Sequence, residues 1–337
     1  MFASQLSQRL GSCILLTLAV GLASHHAAAQ SPAPPKSKFK IKPFVALREA
    51  LDLLPAADRK IATDDELELF RKVAAGEKDN VILSNAMLTI AGVTNDKDRE
   101  RYLARLTEIT AGARKALAGI NTPEGRADKL ADYLFKGPCH GGFADNQVDI
   151  CRLLDRGEFN CVSASILYNN IASRLGLQTR YVEAPGHVFL RMGDLNIEPV
   201  CGKTFGAREH QKIINDMSDK AKDYIRNQYD KDHTYVAGNL GLIAQPYMTR
   251  AADEQNRSRH DLTTIDNLKQ ACLDANNPMN AFFLDTSLKK WFKTALKDHQ
   301  FDKAQKLAAI YGQLFGDGSN KLFAQVAASR ASRSVKS

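Results

Sequence analysis

Between Gly157 and Phe205 the chain changes its period once, and that change constrains the fold more than any other feature. From Cys161 to Leu175 the apolar residues Ile166, Leu167, Ile171, Ala172 and Leu175 recur at three- and four-residue spacing, which predicts a helix. Asn160 just before it is a good N-cap residue, and Gly176 just after it is a glycine stop. From Thr179 the period drops to two. Thr179 to Ala184 alternates like a strand, Pro185-Gly186 turns the chain, His187 to Arg191 is a second strand and Leu195 to Pro199 a third. Gly193-Asp194 suits a two-residue hairpin turn.

The same stretch carries a thiol, an imidazole and a carboxylate in order. Cys161 falls on the first turn of the helix, where unpaired backbone N–H groups and the helix dipole favour a thiolate and a developing oxyanion. With the turn at Gly193-Asp194, Met192 faces Leu195 and His187 faces Val200. Glu198 is then a diagonal neighbour of His187 on the same sheet face, within side-chain reach. A one-residue slip would send Glu198 to the other face. Asp194 is the substitute acid, although it sits in the turn. Cys161, His187 and Glu198 are therefore the candidate catalytic residues: a nucleophile, its base and the group that orients the base. Gln147 is a weaker candidate, as an oxyanion-hole side chain, and His140 reads as a loop histidine.

The segments Asn160-Cys161-Val162-Ser163, Ser165-Ile166-Leu167-Tyr168, Arg174-Leu175-Gly176-Leu177, Pro185-Gly186-His187-Val188-Phe189 and Asn196-Ile197-Glu198 resemble the bacterial transglutaminase-like superfamily. The likeness is nearest to the branch often fused to tetratricopeptide-type helices. It is specific from Arg156 to Phe205 and looser from Leu130 to Gln147. It implies an α+β, papain-like core in which the cysteine-bearing helix packs on a small antiparallel sheet. It also implies Cys161 as nucleophile, His187 as base and Glu198 as third member, where many relatives have Asp. The chemistry implied is attack on an amide or ester carbonyl, with no metal and no cofactor. No acidic calcium loop is present. The superfamily spans proteases, amidases, acyl transferases and non-enzymes, so two readings stand. One is a thiol enzyme acting on an amide of peptide, protein or cell-wall material, by hydrolysis ahead of acyl transfer. The other is a non-catalytic binding or scaffold protein that keeps the fold and uses its helices for a protein partner.

The N-terminus reads as a signal peptide over residues 1–29. Arg9 precedes a short apolar run, Cys13 to Ala23, and Ala27-Ala28-Ala29 is a cleavage site before Gln30. The expectation is an exported protein, periplasmic or extracellular, with no integral membrane span. Export leaves Cys139, Cys151, Cys161, Cys201 and Cys272. With Cys161 free, an oxidising compartment predicts Cys139 paired with Cys151 and Cys201 with Cys272, the alternative being five unpaired thiols. No cysteine or histidine set has zinc spacing. The formal charge of +8 and pI near 9.1 are compatible with anionic surfaces. Lys and Arg are nowhere densely interleaved with aromatics, so no nucleic-acid partner is expected.

Around this core the chain is expected to divide into a flexible linker (30–43), a helical N-terminal region (44–136), the catalytic core (137–208), a helical, weakly tetratricopeptide-like C-terminal region (209–326) and a disordered tail (327–337). Helices are expected over 45–54, from Thr63, over 80–90, 98–120 and 122–135, and then over 209–229, 234–252, 261–273, 287–298 and 302–315. Trp291 and Phe292 read as core.

Overall fold

A computed structural model describes residue 39 and residues 42–77, 81–184, 187–205, 235–316 and 318–334. The expected signal peptide, most of the linker, the Pro185-Gly186 turn and the helix over 209–229 lie outside the described residues. In chain order the elements are α1 (Pro43–Leu51), α2 (Asp64–Ala75), α3 (Leu83–Ile90), α4 (Asp96–Ala116), α5 (Pro123–Lys136), β1 (Gly142–Phe143), α6 (Ile150–Arg156), β2 (Glu158–Phe159), α7 (Cys161–Arg174), β3 (Arg180–Ala184), β4 (His187–Met192), β5 (Leu195–Glu198), β6 (Lys203–Phe205), β7 (Tyr235–Ala237), α8 (Asn239–Asn256), α9 (His260–Leu273), α10 (Pro278–Lys297), α11 (Phe301–Phe315) and α12 (Ser319–Ser334). The chain forms two compact units. One is built on residues 95–243, the other on 33–94 and 244–337, and the boundary falls inside α8.

The first unit is α+β. Its antiparallel sheet has the order β6-β5-β4-β3-β7. The β4–β5 register pairs Met192 with Leu195, Arg191 with Asn196 and Leu190 with Ile197, as a turn at Gly193-Asp194 requires. α7 packs on β4 and is flanked by α4, α5 and α6. Every residue from Val162 to Ala172 is buried, so α7 is the central helix. Two of its buried polar residues reach internal partners: Tyr168 donates to the Ala127 carbonyl at 2.9 Å, and the Asn169 side-chain oxygen accepts from Thr179 at 2.7 Å. Beyond Leu175, Gly176 takes the left-handed conformation (φ 75°) that ends the helix.

Three expectations for this unit need correction. The helix expected from Thr234 is first a strand: Tyr235–Ala237 pairs with β3, and α8 starts only after Gly238. An aromatic and a β-branched residue beside the open edge of β3 favour pairing over coiling. α6 was not foreseen, because seven residues give too little period, although Asp149 caps it by accepting from Cys151 N–H. The expected disulfides are absent, since Cys139, Cys151, Cys161, Cys201 and Cys272 are all free. Cys139 and Cys151 are each buried, and that burial pushes both thiols up to about 12, so neither is an available thiolate.

The second unit is helical. α9, α10, α11 and α12 pack each on the next, and α1 packs on α9 and α11. α2 begins as its sequence dictates, with a capping box between Thr63 and Glu66. α10 starts nine residues earlier than expected, at Pro278 behind an Asn277 cap. Trp291 and Phe292 are core. The last helix runs to Ser334, so the tail is helical where disorder was expected; buried Leu322 and Val326 anchor it. Among the described residues no helix is long and apolar enough to cross a membrane.

Candidate active site

Cys161 is the first residue of α7, and the cap beneath it is built from neighbouring side chains. Asn160 Oδ1 accepts from the N–H groups of Val162 and Ser163, both at 3.0 Å, and Asn160 Nδ2 donates to the Asp145 carbonyl at 2.9 Å. Ser163 Oγ accepts from Asn160 N–H at 3.0 Å and donates to the Gln147 carbonyl at 2.7 Å. The cap therefore engages the second and third N–H groups of the helix and leaves that of Cys161 out of it. The thiol itself is free and half-buried.

His187 opens β4 and Glu198 ends β5. Both are buried, at 7% and 4% exposure. His187 Nε2 donates to the Glu198 carboxylate, with both oxygens within reach at 3.1 and 3.0 Å. Phe189 stacks beside the imidazole, with centroids 6.0 Å apart and planes 19° off parallel. Burial alone would lower the affinity of the ring for a proton. The Glu198 carboxylate and the Cys161 thiol outweigh it and push the ring up to about 10. Nδ1 is buried and has no hydrogen-bond partner. The sulfur thus lies close enough to act on the ring without being bonded to it in full hydrogen-bond geometry.

The structure thereby joins His187 to Glu198 and sets Cys161 beside the ring. It does not add the other sequence candidates. Gln147 has no free donor: Nε2 gives its two hydrogens to the carbonyls of Asp149 at 2.8 Å and Glu158 at 3.0 Å. It is a buried staple in the preceding loop, not an oxyanion donor. His140 is exposed and bonds within its loop to the Gly137 carbonyl. Asp194 lies in the β4–β5 turn. Sequence reasoning missed the Ser163 contact. Its one signal was a residue with a side-chain acceptor three positions after the cap, the spacing of a capping box. Among the described residues no group of three metal-ligating side chains is placed to hold an ion.

A cysteine at the head of a buried helix thus lies beside a histidine–carboxylate pair on an antiparallel sheet. Residues 100–233 match the family model of the transglutaminase-like superfamily. No curated protein and no solved structure matches the chain.

Proposed function

We propose that the domain is a thiol enzyme that attacks the carbonyl of an amide in peptide, protein or cell-wall material, with hydrolysis ahead of acyl transfer. Cys161 is the nucleophile, His187 the base and Glu198 the group that orients it. The observation that carries this reading is the buried His187–Glu198 pair, whose one unspent ring nitrogen lies beside a half-buried free thiol. With Nε2–H held by Glu198, Nδ1 is the atom free to take the thiol proton. The ring is pushed up to about 10, so at neutral pH it carries that proton as an imidazolium next to the sulfur. A cation there favours the thiolate, as does the start of the helix. The thiolate adds to the carbonyl, and the Cys161 N–H, left out of the cap, faces the developing oxyanion. His187 then returns its proton to the leaving amine, and water or an acceptor amine releases the acyl group. The N-terminal signal motivates a further part of the proposal, export with Gln30 as first mature residue; N-terminal sequencing of the released protein tests it.

Iodoacetamide labelling with peptide mapping between about pH 5 and pH 9 tests the chemistry. An ordinary thiol slows about tenfold for each pH unit below roughly 8.5. The proposal expects Cys161 to label almost as fast at the acid end as at the alkaline end. A Cys161 with the ordinary slope, or one that does not react, favours the non-catalytic scaffold instead.

A further inference from the structure

The mechanism assigns no task to the Ser163 hydroxyl, yet it is fully buried and fully used. Its oxygen accepts the Asn160 N–H at 3.0 Å, and its proton goes to the Gln147 carbonyl at 2.7 Å. One hydroxyl thus joins the residue next to the nucleophile to the loop in front of it. The other ties across the same gap converge on the same backbone. Asn160 Nδ2 reaches the Asp145 carbonyl, Gln147 Nε2 reaches the Glu158 carbonyl at 3.0 Å, and Gly141 N–H reaches the Gly157 carbonyl at 3.0 Å. Those three can hold the loop against the strand that leads into α7. Ser163 alone among these side chains stands within α7, two residues past the sulfur, and it alone clamps the N–H of the cap residue.

We propose that Ser163 is a positioning residue for Cys161: through Asn160 and Gln147 it fixes the backbone from which the sulfur faces His187. The inference rests on the thiol-enzyme reading above. Removing the hydroxyl leaves the Asn160 N–H and the Gln147 carbonyl buried without this partner, and the chain relaxes at the point where Cys161 is attached. A shift of about 1 Å there is enough to cost a positioned group one to two orders of magnitude in rate.

The test is iodoacetamide labelling of the full chain near pH 6 and near pH 9, comparing wild type with Ser163→Ala and Ser163→Thr, each thiol followed by its own peptide. Buried Cys139 and Cys272 serve as reporters of general loosening. The expected result is that Ser163→Ala slows Cys161 about tenfold at the acid end and little at the alkaline end, with Cys139 and Cys272 still protected. Ser163→Thr, which keeps the hydroxyl, restores the wild-type profile. An unchanged Cys161 profile in Ser163→Ala overturns the proposal. So does a slowing accompanied by exposure of Cys139 and Cys272, or a well-folded Ser163→Thr that behaves like Ser163→Ala. If the extra methyl of Thr opens Cys139, the Ala variant decides alone. The wild-type profile by itself judges the thiol-enzyme reading, and the difference between variants judges Ser163.

Discussion

Each unit buries a group of charged side chains, and the two groups differ in what they leave unspent. In the helical unit Lys269, 2% exposed, donates to the Ile61 carbonyl at 2.6 Å and to Glu66 at 3.2 and 3.3 Å, while Tyr247 also donates to Glu66. Every polar atom of those three side chains has a partner. In the α+β unit His187 and Glu198 satisfy each other, but Nδ1 remains without a partner beside a reactive atom. Burial and charge are common to both, so neither marks a reaction site. The closed network holds α2, α8 and α9 in place; the open one leaves a ring nitrogen unspent beside the Cys161 sulfur.

The largest expected effect tests the open side. Cys161→Ala should reduce turnover of any amide substrate by about 10⁴-fold or more, with the thermal midpoint unchanged, because the proposed nucleophile is removed without breaking a structural bond. Next comes the closed side. Glu66→Ala should destabilise the helical unit by about 3–5 kcal/mol in urea unfolding, since buried Lys269 would lose the carboxylate it donates to. Replacing both, Glu66→Leu with Lys269→Met, should recover most of that loss. If the double variant is as unstable as the single, the network is more than a compensated pair.

Two smaller effects depend on pH and sharpen the contrast. Asp266 is 3% exposed, and burial pushes its carboxyl up to about 6 from an ordinary 3.8, against the pull of Arg250. The native state therefore holds this proton more tightly than the unfolded chain. The resulting stabilisation is complete below 3.8 and is lost as pH rises through about 6. Measured as wild type minus Asp266→Asn, it should amount to on the order of 2–3 kcal/mol. A flat difference between those variants would remove Asp266 from the acid response. In the other unit Glu198→Gln should bring the His187 titration down from about 10 toward its ordinary 6.5, read by the imidazole signals in NMR. In stability terms His187 contributes fully below 6.5 and loses that contribution as pH rises through about 10. An unmoved titration in Glu198→Gln would mean that Glu198 does not supply the field at the ring.

The site was more legible in the sequence than the frame around it, for a local reason. Cap, helix period, glycine stop and hairpin turn all lie within Gly157–Phe205, and a two-residue turn at Gly193-Asp194 is enough to bring Glu198 to the His187 face. What failed depended on distant partners. Tyr235–Ala237 is a strand because β3 offers an edge more than fifty residues earlier. The tail is helical because Leu322 and Val326 find a buried face, which a composition of small and basic residues does not announce. The start of α10 was local and still passed over: Asn277-Pro278 is a cap followed by a first-turn proline. Gln147 was misassigned because residue type shows that an amide can donate, not that both its hydrogens are already given away.

Gly141 and Gly157 stand where the loop meets the strand leading to the sulfur. A β-carbon at Gly141 would run into the Arg156 carbonyl oxygen and lie 2.7 Å from Glu158 N, and one at Gly157 would lie 2.7 Å from the His140 ring. Gly157 also sits at φ 71°. In a saturation scan of the whole gene these two columns should therefore refuse even alanine, while neighbouring surface positions accept most residues. Such a pair of blanks would outline the floor beneath the Cys161 sulfur before any substrate is in hand.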